Sequence, residues 1–366
     1  MTDERTLSEY ISGRLYDDKS DFSIWGNSIL DSYFRVSKLS FVPPLVWSRA
    51  SRYMVFGSRV FGKFGNAGRL ESHVIVSARD LLRLPCIPSS FSYDLRAYAE
   101  VYRAVAAKEY PAMAKFESRI QKILNVVNPK IFIANSTMDP INRAWIQAAK
   151  KFGAKTYCLQ HGVYAKQMPY YAQEEDIVDA YIALDASQKE IVAKNIDSKK
   201  IEVLGNRSEF SWKSPGDAIS VCFVGEDWER YGFTDMKHEI IDCYRKVARM
   251  LRRNGWNSIW YKPHPSEVAM FGIDAEMQLL KPKHIGVPDV FIGFSSSLLK
   301  DVSARGKLAI QILDERTQAD NFQSNGYCLT VNNDGTLIDS IIQFIGSDRM
   351  VPCVRDRALE DILVAG

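Results

Sequence analysis

A histidine held between two prolines is the first place where this sequence suggests chemistry. His264 lies in Tyr-Lys-Pro-His-Pro-Ser-Glu, residues 261–267, flanked by Pro263 and Pro265. Each proline fixes its own φ and removes an amide donor, so the imidazole is held at the lip of a strand rather than inside a helix. A held imidazole can donate to a phosphate, and the rigidity on both sides favours a site over a structural histidine. The second place is Phe-Ile-Gly-Phe-Ser-Ser-Ser-Leu-Leu-Lys-Asp, residues 291–301, where an apolar strand runs into Ser295, Ser296 and Ser297 and then a helix. A helix start presents backbone amides and the positive end of the dipole, a natural seat for a phosphate, and hydroxyls add donors. Ordinary capping needs one serine, so the other two are the informative ones.

Gly225, Glu226 and Asp227 open the stretch GEDWERYGF and put two adjacent carboxylates where a strand ends. Neighbouring side chains there point in different directions, so one faces a substrate while the other pairs or meets solvent. Asp227 is the expected reacting carboxylate. The competing explanation is that Glu226 or Asp227 caps the following helix. Gln160, His161 and Gly162 follow another strand; Gly162 lets the main chain approach a substrate closely, and His161 is a second candidate histidine. Asp139, before Pro140 at an expected helix start, reads as an N-cap or as a carboxylate facing the site, with the cap preferred. There is no GxxxxGK[ST], so a P-loop kinase or ATPase is unsupported. The six cysteines are scattered, with no CxxC and no histidine at zinc-ligand spacing, which favours reduced thiols.

These residues share one position, since each group follows a short apolar strand. The strands read as KIFIAN (130–135), KTYCLQ (155–160), AYIALD (180–185), IEVLGN (201–206), ISVCFVG (219–225), SIWYKP (258–263), DVFIGF (289–294), LAIQIL (308–313) and YCLTV (327–331). Helices are expected at 140–152, 186–194, 235–254, 297–305 and 336–345, and two more, divided near Pro111, over 92–127. Alternating strands and helices mean parallel sheets, whose ligands bind beyond the C-terminal strand ends. The polar stretch 206–217 breaks the rhythm and reads as a linker. The expected fold is α/β, with one doubly wound domain over 1–210, another over 218–350, and a tail, 351–366, that packs back. Residues 1 to about 95 give no clear order of elements.

At 366 residues the chain exceeds the size of a single core, and 46% apolar with 25% charged residues is ordinary globular composition. The opening MTDERTLSEY is polar, and no run approaches the ~20 apolar residues of a membrane span, so a cytoplasmic protein is expected. The net charge of +3 does not suggest nucleic acid. From Ser32 to Leu70, however, seven basic residues and no acidic one are interleaved with aromatics. That stretch fits an anionic bilayer, an anionic glycan, or a solvated domain face equally well.

The pair KPHP (262–265) and FSSS (294–297) resembles the HP and SS motifs of bacterial glycosyltransferases that use CMP-activated sugars, the sialyltransferase and Kdo-transferase families of capsule and lipopolysaccharide synthesis. QHG (160–162) is similar to an element of capsule polysaccharide transferases. The resemblance covers about residues 130–310. It implies a GT-B fold: two Rossmann-like domains facing across a cleft, the acceptor on the first and the CMP-sugar on the second, with no obligatory metal or other cofactor. On that resemblance His264 contacts the donor phosphate, Ser295, Ser296 and Ser297 bind the nucleotide phosphate, and Lys262 adds charge. Pro265 and Gly225 belong to the donor side, and Gln160, His161 and Gly162 to the acceptor or donor sugar. The sialyltransferase triplet [DE][DE]G is replaced by Glu226–Asp227–Trp228, so Kdo is the preferred sugar.

The same motif pair resembles that of CDP-glycerol glycerophosphotransferases of teichoic-acid synthesis, in which His161 or Asp139 would deprotonate the acceptor. A non-catalytic nucleotide- or sugar-binding protein is the remaining alternative. In the expected mechanism His264 and the serines stabilise the CMP leaving phosphate while Asp227 acts as nucleophile or base at the anomeric carbon. The acceptor is then a glycan or glycolipid at the inner leaflet of an anionic membrane.

Overall fold

The computed structural model describes residues 45–47, 50–56, 60, 63–64, 66–76, 90–93, 111–137, 140–160, 162–163, 176–214, 216, 219–226, 234–264, 277–281, 284–317 and 321–365. The chain divides into two compact units. Unit 1 comprises Met1–Gly162, Ala172–Leu204 and Arg357–Gly366, and unit 2 comprises Val163–Tyr171 and Gly205–Asp356.

Unit 1 is built on strands β1 (Leu45–Trp47), β2 (Tyr53–Phe56), β3 (Ser72–Val76), β4 (Ser90–Tyr93), β5 (Ile131–Ala134), β6 (Lys155–Leu159), β7 (Ala180–Ala183) and β8 (Ile201–Val203). Among the described residues they form one sheet in the order β1-β4-β3-β2-β5-β6-β7-β8. Only β1 runs antiparallel to its neighbour. Its helices are α1 (Asn66–Leu70), α2 (Pro111–Val127), α3 (Pro140–Phe152), α4 (Ala186–Val192) and, from the end of the chain, α8 (Leu359–Ala365). The β5 run Ile-Phe-Ile-Ala is wholly buried because a parallel strand is covered on both faces. Helix α3 covers it with Ile141, Ala144, Trp145 and Ala149, one stripe at helical spacing, and Trp145 stacks on Phe132 at 6.3 Å. Gly153, at φ 92°, ends α3, with Ala154 N–H donating back to the Ala149 carbonyl.

Unit 2 is built on β10 (Ser220–Val224), β11 (Ser258–Lys262), β12 (Gln278–Leu279), β13 (Val290–Gly293), β14 (Leu308–Leu313) and β15 (Leu329–Asn332), all parallel, in the order β12-β11-β10-β13-β14-β15. That is the 3-2-1-4-5-6 order of a dinucleotide-type doubly wound sheet. Its helices are α5 (Thr234–Arg253), α6 (Leu298–Ser303) and α7 (Leu337–Gly346). Helix α5 buries Ile240, Ile241, Tyr244, Val247, Ala248 and Leu251 against Phe223, Ile259, Tyr261 and Ile292. The molecule thus carries the two Rossmann-like α/β units that the resemblance implies.

One device recurs. In unit 1 the Asp179 carboxylate accepts from the amide and the hydroxyl of Thr156, both at 2.8 Å, and pairs with Lys150 at 3.3 Å. In unit 2 the Asp289 carboxylate accepts from the amide (3.1 Å) and the hydroxyl (2.7 Å) of Ser220 and pairs with Lys307 at 3.6 Å. Each clamp ties the starts of two adjacent parallel strands.

Two expectations are corrected. Residues 206–212 are strand and not linker: β9 (Gly205–Trp212) pairs antiparallel with β16 (Arg349–Asp356), from Gly205↔Asp356 to Trp212↔Arg349. A two-stranded ribbon leaves much of its surface wet, so its residues are polar and read as loop. Residues 351–356 belong to β16, and α8 follows within unit 1. In the helical stretch expected from Ser92, Ser92 and Tyr93 belong to β4, and α2 begins at Pro111, a proline tolerated in a first helical turn. The remainder of the first expected helix, and most of the basic aromatic stretch 32–70, lie outside the described residues.

Candidate functional site

In unit 2 the strand order reverses between β10 and β13, the place where open α/β sheets hold their ligands. Val224 leads from β10 into Gly225 and Glu226, and Gly293 leads from β13 into Phe294 and the three serines. The two loops are joined by the Glu226 carboxylate. Its Oε1 accepts from the backbone N–H of Phe294 (2.9 Å), Ser295 (2.7 Å) and Ser296 (3.1 Å), and its Oε2 accepts from the Ser295 hydroxyl. Glu226 is buried. Burial pushes its pKa up, and the Ser295 hydroxyl and the three amides pull against that without cancelling it.

Three further contacts hold this arrangement. A Cβ at residue 293 would sit 3.3 Å from Val224 Cβ, so the glycine lets β13 lie close against the end of β10. The fully buried Gln311 donates from Nε2 to the Phe294 carbonyl (2.7 Å) and accepts the Phe322 N–H at Oε1 (2.8 Å). Tyr244 donates its hydroxyl to the Val224 carbonyl at 2.9 Å. Neither Gln311 nor Gly293 was singled out by motif. The available signal was a glutamine inside the apolar run LAIQIL, where a buried amide must find partners.

The seat read as a phosphate site is therefore filled by the chain's own carboxylate. Ser295 and Ser296 are engaged in holding Glu226, and the Ser296 hydroxyl also accepts from the Leu298 N–H at 3.3 Å. Glu226 secures the turn entering α6, a neighbour in space. Ser297 stands at the N-cap of α6 without a side-chain cap bond. Beside them β11 ends at Lys262 and is followed by Pro263 and His264, all three half-buried, and Gly225 N–H donates to the Lys262 carbonyl at 2.8 Å. The structure thus brings Gly225, Glu226, Lys262, His264 and Ser295–Ser297 to the ends of three adjacent strands of unit 2. Asp227 and Pro265 lie outside the described residues.

In unit 1, Gln160 follows β6 and is fully buried. Its Nε2 donates to the Gly162 carbonyl (2.7 Å) and to Gln188 Oε1 (2.5 Å), and its Oε1 accepts the Leu184 N–H (3.1 Å). These bonds make Gln160 a residue that positions Gly162 rather than one that touches a sugar. After β5, Asn142 accepts the Asn135 N–H at 3.4 Å and the buried Arg143 donates to the Thr137 carbonyl at 2.5 Å. His161 and Asp139 lie outside the described residues.

A cavity of about 550 Å³ opens elsewhere in unit 2, lined by residues of α5 and of the β15–α7 turn, with Glu239, Lys246, Arg316 and Asp334 among them. Arg316 is held by Asp314 and Glu239, and its hydrogen bonds pull the Asp314 pKa down to about 2. None of the residues singled out from the sequence lines this cavity. Cys158, Cys222, Cys328 and Cys353 are buried free thiols, and burial pushes the Cys222 pKa up to about 12, which rules it out as a thiolate nucleophile at neutral pH. Among the described residues no group of three or more His, Cys, Asp or Glu could hold a metal ion, and no helix is long and apolar enough to cross a membrane.

No protein-family model matches this chain, and no curated protein matches it. Solved structures similar to it include a protein assigned as a UDP-N-acetylglucosamine 2-epimerase from Listeria monocytogenes, 13% identical, covering 82% of this chain and 88% of that one at a TM-score of 0.49. A glycosyltransferase from Rickettsia africae is 12% identical, with 82% and 88% covered, at 0.45. The wall teichoic acid polymerase TagF is 12% identical, with 87% and 86% covered, at 0.44. At these values the likeness carries no statement about function.

Proposed function

We propose that this protein is a glycosyltransferase that moves a sugar, Kdo by preference, from a CMP-activated donor to a growing bacterial surface polysaccharide. The observation that supports this most is that the HP-type histidine His264 and the serine turn Ser295–Ser297 follow β11 and β13, the two strands that flank β10 in the sheet of unit 2. In this reading His264 and Lys262 face the donor phosphate and stabilise the charge that builds on it as the glycosidic bond breaks. Ser297, whose side chain is not used for capping, offers a hydroxyl to the same phosphate. Asp227 supplies the carboxylate at the anomeric carbon, as nucleophile or as base towards the acceptor hydroxyl. Glu226 does not react; it fixes the turn that presents Ser297. A cytoplasmic enzyme working beside the inner leaflet fits this substrate.

Calorimetric titration of CMP, CDP and UMP into the wild-type protein and His264→Ala tests the reading. Selective binding of CMP, weakened at least about tenfold in the variant, is the expected result, one charge-assisted hydrogen bond to phosphate being worth about 1.5–3 kcal/mol. Absence of cytidine nucleotide binding overturns it. Turnover of CDP-glycerol in place of CMP-Kdo reassigns the transferred group to glycerophosphate.

A further inference from the structure

We infer that the N-terminal edge of the unit 1 sheet is a docking surface for an anionic lipid bilayer. Chain segments from four neighbouring strand starts meet there. Ser51 N–H donates to the Val127 carbonyl (2.9 Å), Tyr53 N–H to the Glu71 carbonyl (3.2 Å), Lys130 N–H to the Arg52 carbonyl (3.0 Å) and Lys155 N–H to the Lys130 carbonyl (3.0 Å). Around this bonded cluster two large aliphatic side chains stand in solvent: Leu70, at the end of α1, is 66% exposed and Val126, at the end of α2, is 54% exposed. Arg52, Lys122, Lys130, Lys150, Lys151 and Lys155 on the same edge are all exposed, against the exposed acids Glu71 and Asp179. Lys150 faces Asp179.

The chemistry points to a membrane rather than a soluble polyanion. Cations spread over several strand starts suit a sheet of charge, and each adds to the attraction of an anionic leaflet. A soluble polyanion has no use for Leu70 and Val126, whereas the acyl boundary of a bilayer does. Gln160 and the Asn135–Thr137 turn lie at the opposite, C-terminal edge of the same sheet. Helix α3, 13 residues long, spans the distance between the edges, about 20 Å at 1.5 Å per residue. On the glycosyltransferase reading, on which this last step alone rests, the acceptor is the far end of a lipid-anchored glycan rather than the sugar at its lipid root.

Co-sedimentation with phosphatidylcholine vesicles, with or without phosphatidylglycerol, tests the surface. The wild-type protein is expected to sediment only with the anionic vesicles. The double variant Lys130→Glu, Lys151→Glu should lose more than about tenfold in partitioning, and Leu70→Ser, Val126→Ser should lose severalfold with a residual that salt abolishes. Equal binding to phosphatidylcholine alone, unchanged partitioning of the charge variant, or full displacement by soluble heparin at equal charge overturns the inference. CMP titration of the same variants separates the two readings. Vesicle binding lost with CMP binding intact supports the surface, and vesicle binding intact without CMP binding removes the donor assignment while leaving the surface standing.

Discussion

Through a single oxygen, Glu226 satisfies three consecutive backbone N–H groups, so its removal is felt as three unpaired donors rather than one lost contact. Glu226→Ala should cost about 3 kcal/mol, measurable by denaturant unfolding, because the amides of residues 294–296 lose their common acceptor in a buried turn. Glu226→Gln keeps an oxygen for the amides and a donor for the Ser295 hydroxyl, and should cost under about 1 kcal/mol. The two carboxyl states also separate with pH. The folded pKa of Glu226 is raised, so its contribution is greatest below the ordinary carboxylate range and declines as pH rises through the folded value. The wild type should therefore lose stability relative to the Gln variant between about pH 4.5 and the raised folded value. Sequence reading placed both Glu226 and the serines at strand ends, which follows from apolar runs stopping at polar residues. It could not show that one fills the other's seat, because they lie 68 to 70 positions apart and their meeting depends on β10 and β13 being neighbours.

Between elements, the paired clamps set strand register at the N-terminal edges of both sheets. Partial burial works to raise the Asp179 pKa, but the Thr156 amide and hydroxyl and the Lys150 ammonium outweigh it and hold the carboxyl below its usual range. That stabilisation is present above the ordinary carboxyl value of 3.8 and is lost as pH falls through the depressed folded value. With the Asp179 side chain 40% exposed, screening limits the effect, so Asp179→Asn should cost about 0.5 kcal/mol at neutral pH and nothing at about pH 2, read from urea midpoints. Helices and parallel strands were legible because burial on both faces demands continuous apolar runs: β14 was read residue for residue at 308–313, and α3 at 140–152. The β9–β16 ribbon was not. Glu209, Arg207 and Ser211 give it no apolar run, and Pro352 lies inside β16, opposite Glu209, in a place that argues against a strand when read alone.

Over the whole molecule, the chain passes for the last time from unit 1 to unit 2 at Leu204–Gly205 and returns at Asp356–Arg357, adjacent points where Arg357 N–H donates to the Leu204 carbonyl at 2.9 Å. The segment after the return is integral to unit 1. Leu359, Ile362 and Leu363 are buried, Leu359 N–H donates to the Lys63 carbonyl at 3.4 Å, and Glu360 accepts the Gly68 N–H at 3.2 Å. Each of the three side chains is worth roughly 1.5–3 kcal/mol on burial. Ending the chain after Asp356 should make unit 1 sensitive to limited proteolysis while unit 2 keeps its protection and its nucleotide binding. The same threading governs synthesis. Domains generally fold in the order in which they leave the ribosome, but here residues 357–365 are made after the whole of Gly205–Asp356. The unit begun first is the last to be completed, and its nascent form waits with the surface around Lys63 and Gly68 uncovered until translation has passed through its neighbour.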